Sequence, residues 1–300
     1  MLKHIKNRIK VSNNYMVDIK WYNPEAKKFN VHEKNGVIYL SSPILDEIEW
    51  LNNGFSTRIG GVSKGVCESM NFAYNDYDDP KDVARNYEIF TEAASIDVNR
   101  IVRPHQIHSS KVIKIESDFS FRDAKVPGWD FEGVDGTVTN VPGVTLFGFS
   151  ADCNLISIVD PVNKAIGLCH AGWRGMASKI SKETIDLMAA SYGTKAEDVI
   201  ASIAPSICPD CFEVEFDMIE QARAGFDESQ YDAIYYKKND IKYQFNLWEA
   251  NRLVLLEMGV KEENIFLPNL CTKCNPKLLF SHRNSGLKRG TLISYLSIKE

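Results

Sequence analysis

No stretch of this chain approaches the roughly 18 apolar residues a spanning helix needs, and no low-complexity tract or solenoid-length repeat interrupts it. Helical membrane spans and disordered or fibrous scaffolds are thereby excluded at the level of the whole chain. A strong charge of one sign is also missing: 35 Lys and Arg against 40 Asp and Glu leave −5. That balance offers no electrostatic footprint for nucleic acid or an anionic membrane, so neither is expected as a partner. The start Met1-Leu2-Lys3-His4-Ile5-Lys6 is basic, but no apolar signal-peptide core follows it. A cytoplasmic location is expected.

What is present is an ordinary globular composition, 44% hydrophobic and 25% charged over 300 residues. Length alone allows one or two units. Residues 1–50 mix Lys, Asn and short apolar runs and read as an extension packed on a body spanning 51–300, with Val37-Ile38-Tyr39-Leu40 a strand. Asp79-Pro80 opens a helix whose Val83, Tyr87, Phe90 and Ala94 share one face. Apolar runs at 144–149, 155–159 and 165–169 predict strands, and one helix is expected from His170-Ala171-Gly172-Trp173-Arg174-Gly175 to the stop at Gly193. Thr194 with Glu197, and Asn246 with Glu249, have the spacing of capping boxes. Strands and helices alternate with hairpins, which favours a mixed-sheet α/β (α+β) body.

Seven cysteines, an odd number, in a chain without an export signal argue against a disulfide framework. Cys208-Pro-Asp-Cys211 and Cys271-Thr-Lys-Cys274 have a spacing that lets both sulfurs of a pair reach one tetrahedral ion. Packed thiols are the alternative, because cysteine is also a small buried hydrophobe. Three histidine segments stand out: His105-Gln106-Ile107-His108, His170 in the strand-to-helix turn, and His282 after Ser281. Cys153 closes Ser150-Ala151-Asp152-Cys153 at a strand end. The distances along the chain are too long for a local metal motif, so pattern alone does not join these residues.

The segments Gly54-Phe55-Ser56-Thr57-Arg58 with Gly60-Gly61, Met70-Asn71-Phe72, Gln106-Ile107-His108, Ala151-Asp152-Cys153 and His170-Ala171-Gly172-Trp173-Arg174-Gly175 occur in this order. They are followed by Cys271-Thr272, Phe280-Ser281-His282-Arg283 and Arg289-Gly290. In these residues the chain resembles the YfiH or laccase-domain family, described as multicopper polyphenol oxidase-like and later as purine nucleoside phosphorylases with adenosine deaminase activity. The resemblance spans about residues 50–300 and implies mixed β-sheets sandwiched by helices in four layers, with 51–300 as the catalytic domain. It implies a metal, Zn²⁺ with Cu²⁺ as the older proposal, held by His108, Cys153 and His170. Two imidazoles and a thiolate suit Zn²⁺ and leave a fourth position open, where a water would be activated. The implied substrates are purine nucleosides such as adenosine, inosine and methylthioadenosine, with phosphate.

For phosphate, Arg174 in the first turn after His170 and Arg58 beside the glycine pair are candidates, with ordinary surface charge the alternative for each. Cys153, His170 and Asp152 are the candidate catalytic residues. Asp152 either orients a ligand, acts as general acid or base, or bonds the turn backbone. Asn71 and Gln106 are amides suited to ribose or base edges. The chain departs from the family where Asn154-Leu155 follows Asp152-Cys153 and where Asp135 lies between Val134 and Gly136. Three other readings remain: a Cys–His hydrolase or amidase acting on peptidoglycan precursors through Cys153 and His170, a copper-dependent polyphenol oxidase, and a zinc-stabilised binding module built on the cysteine pairs.

Overall fold

The computed structural model describes residues 6–12 and 15–300, with side chains from residue 18 onward. The basic start at Met1–Ile5 lies outside the described residues. Apolar runs without alternation demand strands covered on both faces, and the body is built that way. In Asn154–Asp160 every residue is buried. Leu155 and Val159 face one core, and Ile156 and Ile158 the opposite one. Leu292–Ile298 divides likewise, with Leu292 and Leu296 on one side and Ile293 and Tyr295 on the other.

Two six-stranded sheets result. The first runs Ile265–Phe266, Ile200–Ile203, Asn154–Asp160, Ala165–Ala171, Gly136–Thr139, Val112–Lys114, and the second Asn30–Lys34, Val37–Ser41, Leu51–Ser56, Leu292–Ile298, Thr145–Ser150, Ile101–Val102. Both are mixed: three of their pairings are parallel and the others antiparallel. They pack face to face through Leu146, Leu155, Leu168 and Leu296. Helix Pro80–Ala94, capped by the Asp79 carboxylate accepting from Lys81 N, lays Val83, Tyr87 and Phe90 on the outer face of the second sheet. Helices Ile180–Tyr192 and Leu247–Glu257 cover the outer face of the first through Ile180, Ile185, Met188 and Leu255. The body is thus a mixed α/β structure with helices outside two sheets.

Local differences from the sequence reading have local causes. The helix after His170 is split into Trp173–Ala177 and Ile180–Tyr192, because Lys179 adopts a left-handed conformation between them. At Thr194 no capping box forms: a 3₁₀ turn, Ala196–Asp198, begins after Lys195. Asn246 does cap Leu247–Glu257 by accepting from Glu249 N. Within residues 1–50, Asn30–Lys34 and Val37–Ser41 are strands of the second sheet, Leu40 pairing with Phe55. No helix of the described residues is long and apolar enough to cross a membrane.

Candidate metal centre and nucleoside pocket

His170 lies near the end of strand Ala165–Ala171, Cys153 in the bend between Thr145–Ser150 and Asn154–Asp160, and His108 in the loop after Pro104–His105. Antiparallel pairing of Leu155 with His170 brings strands Asn154–Asp160 and Ala165–Ala171 into register, and the loop carrying His108 closes over their ends. The ligand atoms of the three side chains lie within 4.8 Å of one another. His108 Nε2 is 3.9 Å from Cys153 Sγ, and the two imidazoles meet edge to face with centroids 4.7 Å apart.

The buried carboxylate of Asp135 holds this arrangement. Its Oδ2 accepts from Ile107 N, Ser109 N and Ser109 Oγ, and its Oδ1 from His108 N and His170 Nδ1, at 2.7–3.0 Å. These bonds keep His108 at φ +65°, a left-handed conformation that a side-chain-bearing residue rarely adopts unaided. They also hold a proton of His170 on Nδ1, so that Nε2 is the atom a metal would take. Asp152, at φ +101°, is held in the same manner: Thr272 Oγ1 and Arg283 N donate to its carboxylate and Ile207 N to its carbonyl. Gly172 completes the enclosure. A Cβ there would stand 2.9 Å from Cys153 Sγ and 3.1 Å from His108 Cδ2.

The electrostatics follow from this packing. Burial by itself would raise the Cys153 thiol, but His170 and His108 outweigh it and bring the pKa down to about 6. Burial would lower His170, yet Cys153 and Asp135 push it up to about 9. Asp135 is likewise opposed by burial and nevertheless lies well below the usual carboxylate range, because His170, Ser109 and Ile107 donate to it. A thiolate and two convergent imidazoles, one with its tautomer fixed from behind, form a borderline-soft donor set that fits Zn²⁺ and also accommodates Cu²⁺. Among the described residues one other group could hold an ion, Cys208, Cys211, Cys271 and Cys274.

The triad opens into a cavity of about 560 Å³, within the range of small-ligand sites. Trp129, Phe149, Trp173 and Phe212 supply aromatic faces, while Arg283 and Arg289 supply positive charge. His105 stacks on Trp129 with an interplanar angle of 9° and meets Glu132 through Nδ1. Arg289 donates from Nη1 to Gly290 O and Thr291 Oγ1, and its buried Nε has no protein partner.

Of the residues singled out in the sequence, His108, Cys153, His170, Asp152 and Gln106 line this cavity. Gln106 spends both ends of its amide on Phe149, donating to its O and accepting from its N. Three others do not line it. Arg58 donates to Glu68 O and Pro276 O and covers the Phe280 ring at 4.4 Å. Buried Asn71 braces a turn by bonding Ala73, Asp78 and Thr291 N. Exposed Arg174 lies over Trp173 at 4.3 Å. The organising role of Asp135 and the positions of Trp129, Phe212 and Arg289 escaped the sequence reading. Asp135 and Arg289 were visible in motif blocks, but nothing local marks Trp129 or Phe212.

Comparisons with known proteins show the family. Residues 52–299 match the family model described as "Multi-copper polyphenol oxidoreductase laccase". The chain is 32% identical over 247 residues to a protein of Bacillus subtilis named purine nucleoside phosphorylase YlmD, covering 82% of this chain and 88% of that one. It is 32% identical over 203 residues to adenosine deaminase RL5 of an unknown prokaryotic organism, covering 65% and 74%. The crystal structure of YlmD from Geobacillus stearothermophilus superposes with a TM-score of 0.84 at 29% identity, over 91% of this chain and 99% of that one. The chain therefore belongs to the multi-copper polyphenol oxidoreductase laccase family, the YfiH or laccase-domain proteins.

Proposed function

We propose that this protein cleaves purine nucleosides with phosphate, releasing the base and ribose 1-phosphate, and that it also deaminates adenosine, with Zn²⁺ held by His108, Cys153 and His170. The carrying observation is that this donor set opens into a cavity combining aromatic faces with the half-buried, part-partnered guanidinium of Arg289. The names of the relatives, phosphorylase and deaminase, support both activities. When bound, the ion would supply Lewis acidity and activate water at neutral pH.

The chain's own residues have separable tasks. Trp129, stacked on His105 and set edge-on to Phe149, offers a purine a flat apolar face, and Phe212 offers a second. Arg289, half-buried at the cavity wall with Nη1 spent on Gly290 O and Thr291 Oγ1, holds phosphate, and Arg283, braced by its contacts to Glu213 O and the Phe212 ring, adds charge. In phosphorolysis a phosphate oxygen forms the bond to the ribose anomeric carbon while the glycosidic C–N bond breaks and its electron pair leaves with the purine. Positive charge on the phosphate side and a water-poor aromatic wall on the base side serve that displacement. Asp152 is a positioning residue in this scheme, since its oxygens are engaged by Thr272 and Arg283 N.

The alternatives gain no such support. A Cys153 hydrolase needs a free thiolate, whereas in the proposed site the sulfur is spent on Zn²⁺ beside both imidazoles. Polyphenol oxidation calls for several coppers, and the pocket offers one three-donor set. The test is to incubate zinc-loaded protein with phosphate and inosine, adenosine or methylthioadenosine. Free base with the matching sugar 1-phosphate is expected. Its absence at full metal occupancy refutes the phosphorylase assignment, and absence of inosine from adenosine without phosphate refutes the deaminase one.

A further inference from the structure

We propose that Cys208, Cys211, Cys271 and Cys274 form a second, structural zinc site that locks the back wall of the pocket. All four sulfurs lie within 4.8 Å of one another, and Cys211 Sγ is 3.5 Å from Cys274 Sγ. A regular tetrahedron with Zn–S bonds of about 2.3 Å has edges of about 3.8 Å, so the cluster already has the dimensions of a four-thiolate cage. Each pair sits in its own turn, with Cys211 N and Phe212 N donating to Cys208 O, and Asn275 N donating to Thr272 O. Cys208 N donates to Cys271 Sγ, the kind of backbone bond that stabilises a metal-bound thiolate. Four protein sulfurs leave no open position, which suits a structural ion and not a catalytic one.

The location gives the site its task. Thr272 N donates to Ser206 O across the two turns, and Ser206 bridges to Cys271. One residue from the cysteines, Ile207 N and Thr272 Oγ1 both donate to Asp152, the neighbour of Cys153. Segment 20–23 is bound to the same knot: Lys20 N donates to Asn275 Oδ1 and Tyr22 N to Asn269 O. A single ion would thus clamp two segments some sixty residues apart against the strand end that carries Cys153.

The experiment uses the full chain with His108→Ala and Cys153→Ala, which disables the pocket donors and leaves the four cysteines intact. Purified under reducing conditions, this variant should retain one zinc per chain, and its zinc X-ray absorption should show one shell of four sulfurs at about 2.3 Å. Cobalt exchange should give the thiolate charge-transfer absorption of a tetrahedral four-sulfur site. Adding Cys208→Ser and Cys274→Ser should remove that zinc and lower the melting temperature. A folded His108→Ala/Cys153→Ala protein that binds no zinc at saturation, that holds iron in its place, or whose zinc shows nitrogen or oxygen in the first shell would overturn the proposal. Because the absorption spectrum is read on a protein with all four cysteines, misfolding of the serine variant does not rescue or sink it.

Discussion

Asp135→Asn is the most informative single change. The amide keeps the volume of the carboxylate but replaces one acceptor oxygen by a donor. With its oxygen retained toward Ile107 N, Ser109 N and Ser109 Oγ, the NH₂ must face His108 N and His170 Nδ1, two groups that donate in the native site. His170 can relieve its part of the conflict only by accepting at Nδ1 and moving its proton to Nε2, the atom a metal needs. His108 N has no such escape. The loss of one charge-assisted bond with an orphaned donor costs about 1.5–3 kcal/mol of stability, and removing the partner behind a metal-binding histidine typically weakens metal binding about 10–100-fold. Zinc affinity, measured by competition with a chromophoric chelator, should fall by that factor, and ring-nitrogen NMR should show His170 protonated on Nε2. Phosphorolysis at saturating zinc should recover in part. If the variant binds zinc within about twofold of wild type while its ring keeps the Nδ1 proton, Asp135 does not set the tautomer and the account of the site is wrong.

Other consequences are testable. In metal-free protein Cys153 should alkylate with a midpoint near pH 6 instead of 9.0, so that about nine-tenths of it is thiolate at pH 7, and zinc should suppress the reaction; a midpoint above 8 contradicts the electrostatic reading. The linked stability has opposite signs: the lowered thiol contributes above its unfolded value of 9.0 and loses that contribution as pH falls through about 6, while raised His170 contributes below 6.5 and loses it as pH rises through about 9. Between pH 6.5 and 9 one contribution rises as fast as the other falls, so the metal-free melting temperature should be nearly flat across that window and only slightly lower below pH 6, and a pronounced maximum or slope within it would argue against the pair. Gly172→Ala pushes a methyl onto Cys153 Sγ and His108, so zinc binding should drop sharply with little loss of secondary structure, and unchanged affinity would show that the loop yields. Arg289→Gln should raise KM for phosphate about 10–100-fold, the worth of a charge-assisted contact, with KM for nucleoside nearly constant; equal effects on both would place Arg289 elsewhere in the reaction. Trp129→Ala should do the converse, raising KM for nucleoside by the roughly 1–3 kcal/mol of a base–aromatic stack.

Local chemistry in the sequence determined much of this protein. Asp79-Pro80 started its helix because a carboxylate and a missing N–H satisfy a helix end wherever it lies, and the mainly apolar runs became doubly covered strands because little beyond Thr145 and Ser157 lay along them to face water. His108, Cys153 and His170 could be named from their motifs, yet nothing in their spacing said that they meet. Strand pairing between Leu155 and His170 and the five bonds gathered by Asp135 decided that. Arg58 and Arg174 had suitable neighbours in sequence but were drawn onto aromatic rings outside the cavity, whereas Arg289, Trp129 and Phe212 reached it from distant loops. Capping and burial act over a few residues and are written in the chain order. Convergence of side chains depends on how sheets stack and loops close, and only the folded chain supplies that.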